Sequence, residues 1–238
     1  MRILALESSA KAASCAVVEN GVLLASAFQA TGLTHSRTLM PMLEAMLANA
    51  ELPLNSMDAI AVAAGPGSFT GLRIGIAAVK GLCWGAQKPC ISVSTLEAMA
   101  TPLTHMEGWR IVCAMDARRQ QIYNAVFVVE GGALKRISED RAIALSEVAE
   151  ELRGNDLPTV IVGDGAALCH DYLTRAGIPC TMTPAHLRMQ SAVGVAFAAE
   201  KLADEGKVIS AQDLQPVYLR LSQAERERLA RLQAEESV

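Results

Sequence analysis

Short apolar runs separated by turn-forming residues open the chain. "RILALES" leads through a polar turn into "SCAVVENGVLLASAF", where Asn20-Gly21 marks a tight turn between two strands. The apolar spacing that follows predicts two helices and two strands, with helices at 36–49 and 71–84 and strands at 58–64 and 90–93. Strands that alternate with helices in this way are typical of an α/β fold.

The pattern of the first strands returns near residue 110. "RILALESSAKAASCAVVENG" and "RIVCAMDARRQQIYNAVFVVEGG" share the order Arg, apolar strand, acid, polar turn, apolar strand, Val-Val-Glu, Gly. The remainder predicts a strand and turn at 158–166 and helices at 166–177 and 190–204. A duplicated βββαβα unit predicts two related lobes, 1–104 and 105–189. We expect the helix at about 190–205 to pack back on the first lobe, and residues 222–238 to form a charged, solvated tail.

Composition narrows the classes of function. The 238 residues carry a net charge of −4, and Lys and Arg are dispersed along the chain. The sequence therefore lacks the basic stripe that is typical of proteins that bind nucleic acid directly. No apolar run is long enough to span a membrane, and the start lacks the pattern of a signal peptide. Six cysteines are scattered without a C-x-x-C pair. We therefore predict a cytoplasmic protein with reduced thiols.

A glycine-rich loop, "VAAGPGSFTGLRIGIAAVKGL", joins a buried strand to an apolar helix. The free N–H groups of a helix N-terminus attract anions, and a bound anion would offset the basic residue in the first turn. The motif is neither a P-loop nor G-x-G-x-x-G, so its spacing favours a capped strand–helix turn over an anion site. The candidate anion or nucleotide positions are Gly65, Gly67, Ser68, Thr70, Gly71 and Arg73.

The helices at 36–49 and 71–84 are more apolar than a surface helix requires. Either they are fully buried within one lobe, or they share an outer face that docks a partner, and the methionines of the first favour docking. The predicted interface consists of Leu39, Met42, Leu43, Met46, Leu72, Ile76, Val79, Lys80 and Cys83.

Several segments together resemble the TsaB (YeaZ) family of tRNA threonylcarbamoyladenosine biosynthesis proteins. They are "ILALESS", "THSRTLMPML", "GPGSFTGLRIGIAAVKGL", "MDARRQQIYNAVF" and "QPVYLRLSQAE". The resemblance implies the two-lobed actin/hexokinase/Hsp70-like (ASKHA) fold. It also implies a non-catalytic partner of a TsaD-type transferase, which with a TsaE-type ATPase modifies adenosine 37 of tRNAs reading ANN codons. Self-association through the same two helices would compete with the TsaD-type partner, and tRNA would be met only within the complex.

The resemblance also implies which site residues have been lost. Where TsaD carries two metal-binding histidines four residues apart, this chain has His35 and Leu39, so we predict no metal here and assign the metal to the partner. Glu7 and Asp116 occupy positions that hold metal–phosphate groups in this fold class, and Gly163-Asp164-Gly165 resembles a second-lobe nucleotide loop. The alternative, turn carboxylates bound to backbone N–H groups, is favoured. We predict that no cofactor is required, with weak ATP or ADP binding as the residual activity.

Two other functions stay open. An autonomous ATPase or phosphotransferase of this fold would need both carboxylates and the glycine loops to act on one metal nucleotide. A glycoprotease-like metallopeptidase is the other alternative, although the sequence lacks H-E-x-x-H and paired metal histidines. A calorimetric titration with MgATP distinguishes the ATPase from the binding partner.

Overall fold

Two sheets with the same strand order form the framework of the protein. The computed structural model describes residues 1–118, 120–154 and 157–220. The first sheet has the order β3-β2-β1-β4-β5, in which β1–β3 are antiparallel and β1, β4 and β5 are parallel. Its strands are β1 (Arg2–Glu7), β2 (Ala13–Glu19), β3 (Val22–Gln29), β4 (Ala59–Gly65) and β5 (Cys90–Ser94).

The second sheet repeats this topology with the order β11-β10-β6-β7-β8, and β9 also pairs with β7. Strands β8 and β9 lie along successive halves of β7, so the counterpart of β3 is split in two. The strands are β6 (Arg110–Asp116), β7 (Gln121–Glu130), β8 (Ala133–Arg136), β9 (Arg141–Ala144), β10 (Thr159–Val162) and β11 (Thr181–Met182). The shared strand order confirms the predicted duplication.

Helices cover both faces of each sheet because alternate side chains of every buried strand point to opposite faces. On the first sheet, α1 and α2 pack on one face and α6 on the other. On the second sheet, α4 and α5 pack on one face and α3 on the other. The helices are α1 (His35–Asn49), α2 (Phe69–Ala86), α3 (Thr95–Ala100), α4 (Leu145–Leu152), α5 (Ala166–Arg175) and α6 (Ala192–Asp204).

Helices α3 and α6 join the two sheets. Helix α3 follows the first sheet in sequence but contributes Leu96 and Met99 to the core of the second sheet, whereas α6 packs on the first. The two helices also pack against each other, with Gly194 so close to the Ala98 carbonyl that a Cβ would overlap it. The lobe boundaries drawn at 1–104 and 105–189 stay a prediction.

The elements predicted from periodicity are present within a few residues of their predicted ends. The Asn20-Gly21 turn has positive φ at both residues, as a type I′ turn requires. The sequence interpretation omitted α3, α4 and the short strands β8, β9 and β11. The predicted tail at 222–238 lies outside the described residues. In the described part of the chain, no helix has the length and apolar character to cross a membrane.

Candidate functional site

A cleft of about 480 Å³ opens where the hairpin turns of the two sheets meet. The turn after β1 and the start of α2 form one wall, and the turn between β6 and β7 forms the other. The lining mixes basic, acidic and aromatic side chains, including Lys11, Arg118, Arg220, Asp116, Asp164, Phe69 and Tyr123. A concave site with charges of both signs beside aromatic rings suits a polar ligand.

Glu7 lies at the end of β1 next to this cleft and is fully buried. The backbone N–H of Ser9 donates a hydrogen bond to one of its carboxylate oxygens. Burial raises the pKa of Glu7 to about 7, because desolvation disfavours the charged form and hydrogen bonds from Ser9 offset only part of it. The neighbouring carboxylate of Asp164 also raises the pKa.

Asp116 and Asp164 face the cleft from the second sheet. Asp116 accepts a hydrogen bond from the backbone N–H of Arg118 at 2.7 Å, as expected of a turn carboxylate. Asp164 accepts one from the side-chain amide of Gln190 at 3.1 Å, and burial raises its pKa above the ordinary value. The structure thus places Asp116 and Asp164 in the lining of one cleft, with Glu7 buried next to it. The sequence analysis did not identify Gln190 or Arg220 as site residues, because nothing in their local sequence indicates a position at the cleft.

The glycine-rich loop packs against the chain itself. A Cβ on Gly67 would lie 2.5 Å from the Ser9 carbonyl oxygen, and one on Gly71 would overlap the carbonyl oxygen of Ser8. These glycines are needed for close approach to the β1–β2 turn. Ser68 accepts a hydrogen bond from the Gly71 N–H and caps α2, which confirms the capped turn.

Some of the anion candidates contact residues 217 and 218 of the same chain, and others line the cleft. The Val217 carbonyl lies against Gly65, and the Arg73 side chain donates to the Tyr218 hydroxyl at 2.9 Å. Ser68 and Gly67 line the cleft, while Thr70 is exposed. The Arg73 side chain is thus hydrogen-bonded within the protein. Anion binding by the loop stays a prediction.

His35 and Leu39 have structural surroundings. His35 Nε2 lies 2.7 Å from the Ala10 carbonyl oxygen and ties α1 to the β1–β2 turn. Leu39 is buried in the core of the first sheet. Across residues 1–118, 120–154 and 157–220, no group of three His, Cys, Asp or Glu side chains could hold a metal ion.

Comparison with known proteins places this geometry in a family. The model of the family "TsaD: tRNA N6-adenosine threonylcarbamoyltransferase" matches residues 29–228. The TsaB protein of Escherichia coli is 31% identical over 92% of this chain and 95% of its own length, and that of Bacillus subtilis is 30% identical over 94% and 96%. The chain belongs to the TsaB (YeaZ) family.

Solved structures agree with this family assignment. YeaZ from Pseudomonas aeruginosa superposes with a TM-score of 0.78 and 27% identity, covering 92% of this chain and 99% of that chain. A ROK hexokinase from Thermus thermophilus superposes with a TM-score of 0.50 at 14% identity, over 87% of this chain and 100% of the hexokinase. The two-lobed ASKHA fold expected for a TsaB-family chain is therefore confirmed.

The interface predicted for this TsaB-family chain requires correction. Seven of its nine residues are buried inside the protein: Leu39, Leu43, Met46, Leu72, Ile76, Val79 and Cys83. Only Met42 and Lys80 are half-buried. The prediction failed because the most apolar arc of each helix covers its own sheet, as a core-facing stripe must.

The opposite arcs of α1 and α2 are exposed and rich in small residues. These residues recur at spacings of four and three positions, which places them on one side of each helix. We call the set formed by Pro41, Ala45, Ala48, Ala77, Gly81 and Trp84 the outer helical face. Trp84 is 71% exposed, which is unusual for so large an apolar side chain.

Residues 208–220, the C-terminal strap, run from α2 to the cleft. Lys80 donates to the Gln212 carbonyl at 3.4 Å, and the Val217 N–H donates to the Ala64 carbonyl at 2.7 Å. The ring of Tyr218 stacks on Phe69, and Arg220 donates to the Ala117 carbonyl across the cleft. The strap therefore connects the first sheet to the second.

Proposed function

We propose that this chain is a non-catalytic partner of a TsaD-type transferase in forming N6-threonylcarbamoyladenosine on tRNA in the cytoplasm, together with a TsaE-type ATPase. Its TsaB-family relatives are named as biosynthesis proteins of that modification, and part of the chain is 44% identical to a tRNA N6-adenosine threonylcarbamoyltransferase over 66 residues. The TsaD family model matches residues 29–228, which include strands of both sheets, and this likeness suits pairing between related chains.

The placement of Leu39 carries the non-catalytic part of the proposal. By the family resemblance, this position corresponds to a metal-binding histidine of TsaD, and here it holds an aliphatic side chain that is 1% exposed in the core. His35 is engaged with the Ala10 carbonyl at 2.7 Å. Metal ligands at i and i+4 must both project from the helix to one ion, so these two residues do not fit a metal site.

The outer helical face supports the proposed docking of the TsaD-type partner. Small residues let two helical surfaces approach closely, and an exposed tryptophan is a common anchor at interfaces. A second copy of this chain would use the same face, so homodimer and heterodimer would compete. With a net charge of −4, the chain would meet tRNA through its partner.

We further propose that the cleft has weak affinity for ATP or ADP. Lys11 and Arg118 line it and carry charges that attract phosphate, although Asp116 and Asp164 oppose this attraction. Calorimetric titration of the isolated protein with MgATP should give weak binding without hydrolysis. Tight binding with turnover would instead support an autonomous ATPase.

The main test is reconstitution with a TsaD-type protein and a TsaE-type ATPase from the same cell. Co-purification should yield a complex containing this chain, and adding the TsaD-type protein should dissolve any homodimer. Single-turnover transfer to tRNA should require the complete complex, and this chain alone should transfer nothing when adenylate and metal are supplied.

Replacement of His35 distinguishes a structural residue from a metal ligand. His35→Ala should leave transfer by the complex within a few-fold of wild type, whereas loss of a true ligand is typically severe. Stoichiometric metal on the isolated chain, lost together with activity in His35→Ala, would contradict the proposal.

A further inference from the structure

The turn between β2 and β3 has a chemical property as well as a structural role. Asn20 and Gly21 have φ angles of 50° and 78°, in the left-handed region that favours Asn followed by Gly in a hairpin turn. In the same dipeptide, the Gly21 nitrogen can attack the side-chain carbonyl carbon of Asn20 and close a five-membered ring. Both residues are exposed, and a Cβ on Gly21 would have nothing within 4 Å. No side chain therefore obstructs the attacking nitrogen.

Two polar groups contact the atoms that would react. The carboxylate of Glu200, in α6, accepts the Gly21 N–H with its two oxygens at 3.1 and 3.2 Å. This contact places a base within hydrogen-bond distance of the proton that the attacking nitrogen must lose. The amino group of Met1 donates a hydrogen bond to the side-chain oxygen of Asn20. A donor at that position stabilises the negative charge that develops on the attacked carbonyl oxygen.

We propose that Asn20 is a site of self-modification, at which the side-chain amide closes on the Gly21 nitrogen to a succinimide and water then converts it to aspartate and isoaspartate, with Glu200 as the base. The inference is independent of the proposed function, since its tests use the isolated protein.

The reaction balances with water as the one co-reactant. The Gly21 nitrogen forms a bond to the side-chain carbonyl carbon of Asn20, and Glu200 takes up the N–H proton. The bond from that carbon to the side-chain nitrogen then breaks, and ammonia leaves with the proton returned by Glu200. Water adds to either carbonyl of the ring and breaks its bond to nitrogen, which restores the N–H and leaves one carboxylate. Nothing is oxidised or reduced.

Two other exposed asparagines provide controls in the same chain. Asn49 is the last residue of α1, and Asn55 lies in the short helical turn Leu54–Ser56. The residues that follow them, Ala50 and Ser56, have side chains, and their N–H groups donate to backbone carbonyls at 3.1 and 2.9 Å. Neither attacking nitrogen has a carboxylate as its partner, so we expect both asparagines to remain amides.

The modification would weaken the contact between the hairpin and α6. Isoaspartate carries the main chain through the side-chain carbon, and the lengthened turn no longer has the two-residue geometry that matches β2 to β3. Either product also adds a negative charge to a turn whose neighbours Glu19 and Glu200 are acidic. Since like charges repel, we expect Glu200 to hold the turn less firmly after hydrolysis.

The test is storage of the full chain in warm, mildly alkaline buffer for several weeks, followed by tryptic digestion and mass spectrometry beside an unstored sample. Peptide 12–37 contains Asn20 as its one asparagine, and peptide 38–73 contains Asn49 and Asn55. Peptide 12–37 should pass through a form that has lost ammonia and yield two chromatographically separate products with a carboxylate in place of the amide. Peptide 38–73 should keep its mass. An unchanged peptide 12–37, or equal change in both peptides, would overturn the proposal.

Substitutions separate the role of Glu200 from the reactivity of the dipeptide. Glu200→Gln keeps an acceptor for the Gly21 N–H but removes the base, and it should slow loss of the amide several-fold. Asp204→Asn removes the same charge from the same helix and should leave the rate unchanged. An equal or faster rate in Glu200→Gln would overturn the assignment of the base. Asn20→Gly retains a residue suited to positive φ, and any gain of a carboxylate by its peptide 12–37 would show that the modified residue is not Asn20.

Discussion

At the scale of single residues, burial decides how the carboxylates beside the cleft behave. Asp116 is a partly exposed turn residue, whereas Glu7 is fully enclosed at the end of a central strand. The carboxylate of Asp116 is therefore in contact with water, whereas that of Glu7 is surrounded by protein. This difference makes Glu7 a source of pH-dependent stability.

We predict that Glu7 makes the protein less stable as pH rises through the range between its two pKa values. The folded-state pKa is about 7 and the reference value is 4.5, so between them the folded state holds a proton that the unfolded state has released. The free energy of unfolding should fall by about 2–3 kcal/mol from pH 5 to pH 8 through this group.

Urea unfolding of wild type and Glu7→Gln at both pH values measures this effect. The variant should show a correspondingly smaller loss, and Glu44→Gln provides the same chemical change at an exposed position. Equal pH dependence in wild type and Glu7→Gln would show that Glu7 does not hold the proton.

Gly71 provides a second residue-scale prediction. Gly71→Ala should lower the free energy of unfolding by at least about 1–3 kcal/mol, because the new Cβ would overlap the backbone of Ser8. Gly81 lies on the same helix with nothing within 4 Å of its Cβ position. Gly81→Ala should be neutral or stabilising by up to ~1 kcal/mol. Urea midpoints of the isolated proteins would test this, and equal midpoints for the two variants would contradict the packing argument.

At the scale of elements, the two sides of α2 have different roles. Its inner residues pack on the first sheet, and its outer residues lie free beside those of α1. The most apolar arc of α2 packs on the sheet and therefore stabilises the fold. A partner would meet the small residues on the opposite side.

We predict opposite outcomes for charges on these two faces. Ala77→Glu should weaken both the homodimer and the TsaD-type complex while leaving the thermal melt unchanged, because Ala77 is exposed. Val79→Asp should unfold the protein, because it places an unpaired carboxylate at a fully buried position at a cost of several kcal/mol. Light scattering and circular dichroism separate the two effects. Unweakened association in Ala77→Glu would exclude this part of the outer helical face as the interface.

At the scale of the whole molecule, segments distant in sequence close the structure. Helix α6 returns from the second half of the chain to cover the first sheet, and the C-terminal strap then crosses from that sheet to the cleft. Leu214 of the strap is completely buried among residues of the first half. The stability of the first sheet therefore depends on residues near the end of the chain.

Substitutions in the strap test this dependence. Leu214→Ala should cost about 2–5 kcal/mol, because it leaves a cavity in the core. Val208→Ala removes similar apolar atoms at a position that is 41% exposed and should change stability by less than ~0.5 kcal/mol. Hydrogen exchange should show the largest loss of protection in β4 and β5. Similar stability losses for the two variants would contradict a core role for the strap.

The sequence by itself determined the strands, the long helices, the Asn20-Gly21 turn and the duplication, because each depends on local periodicity or turn chemistry. Tertiary structure alone decided which side of each helix stays exposed, since Val79 and Ala77 are told apart only by the sheet beneath them. It also decided that Arg73 contacts Tyr218 and that Leu214 enters the core of the first sheet. These contacts depend on how segments distant in sequence pack together. The periodicity of a helix predicts which side is buried, but it does not indicate which part of the protein covers that side.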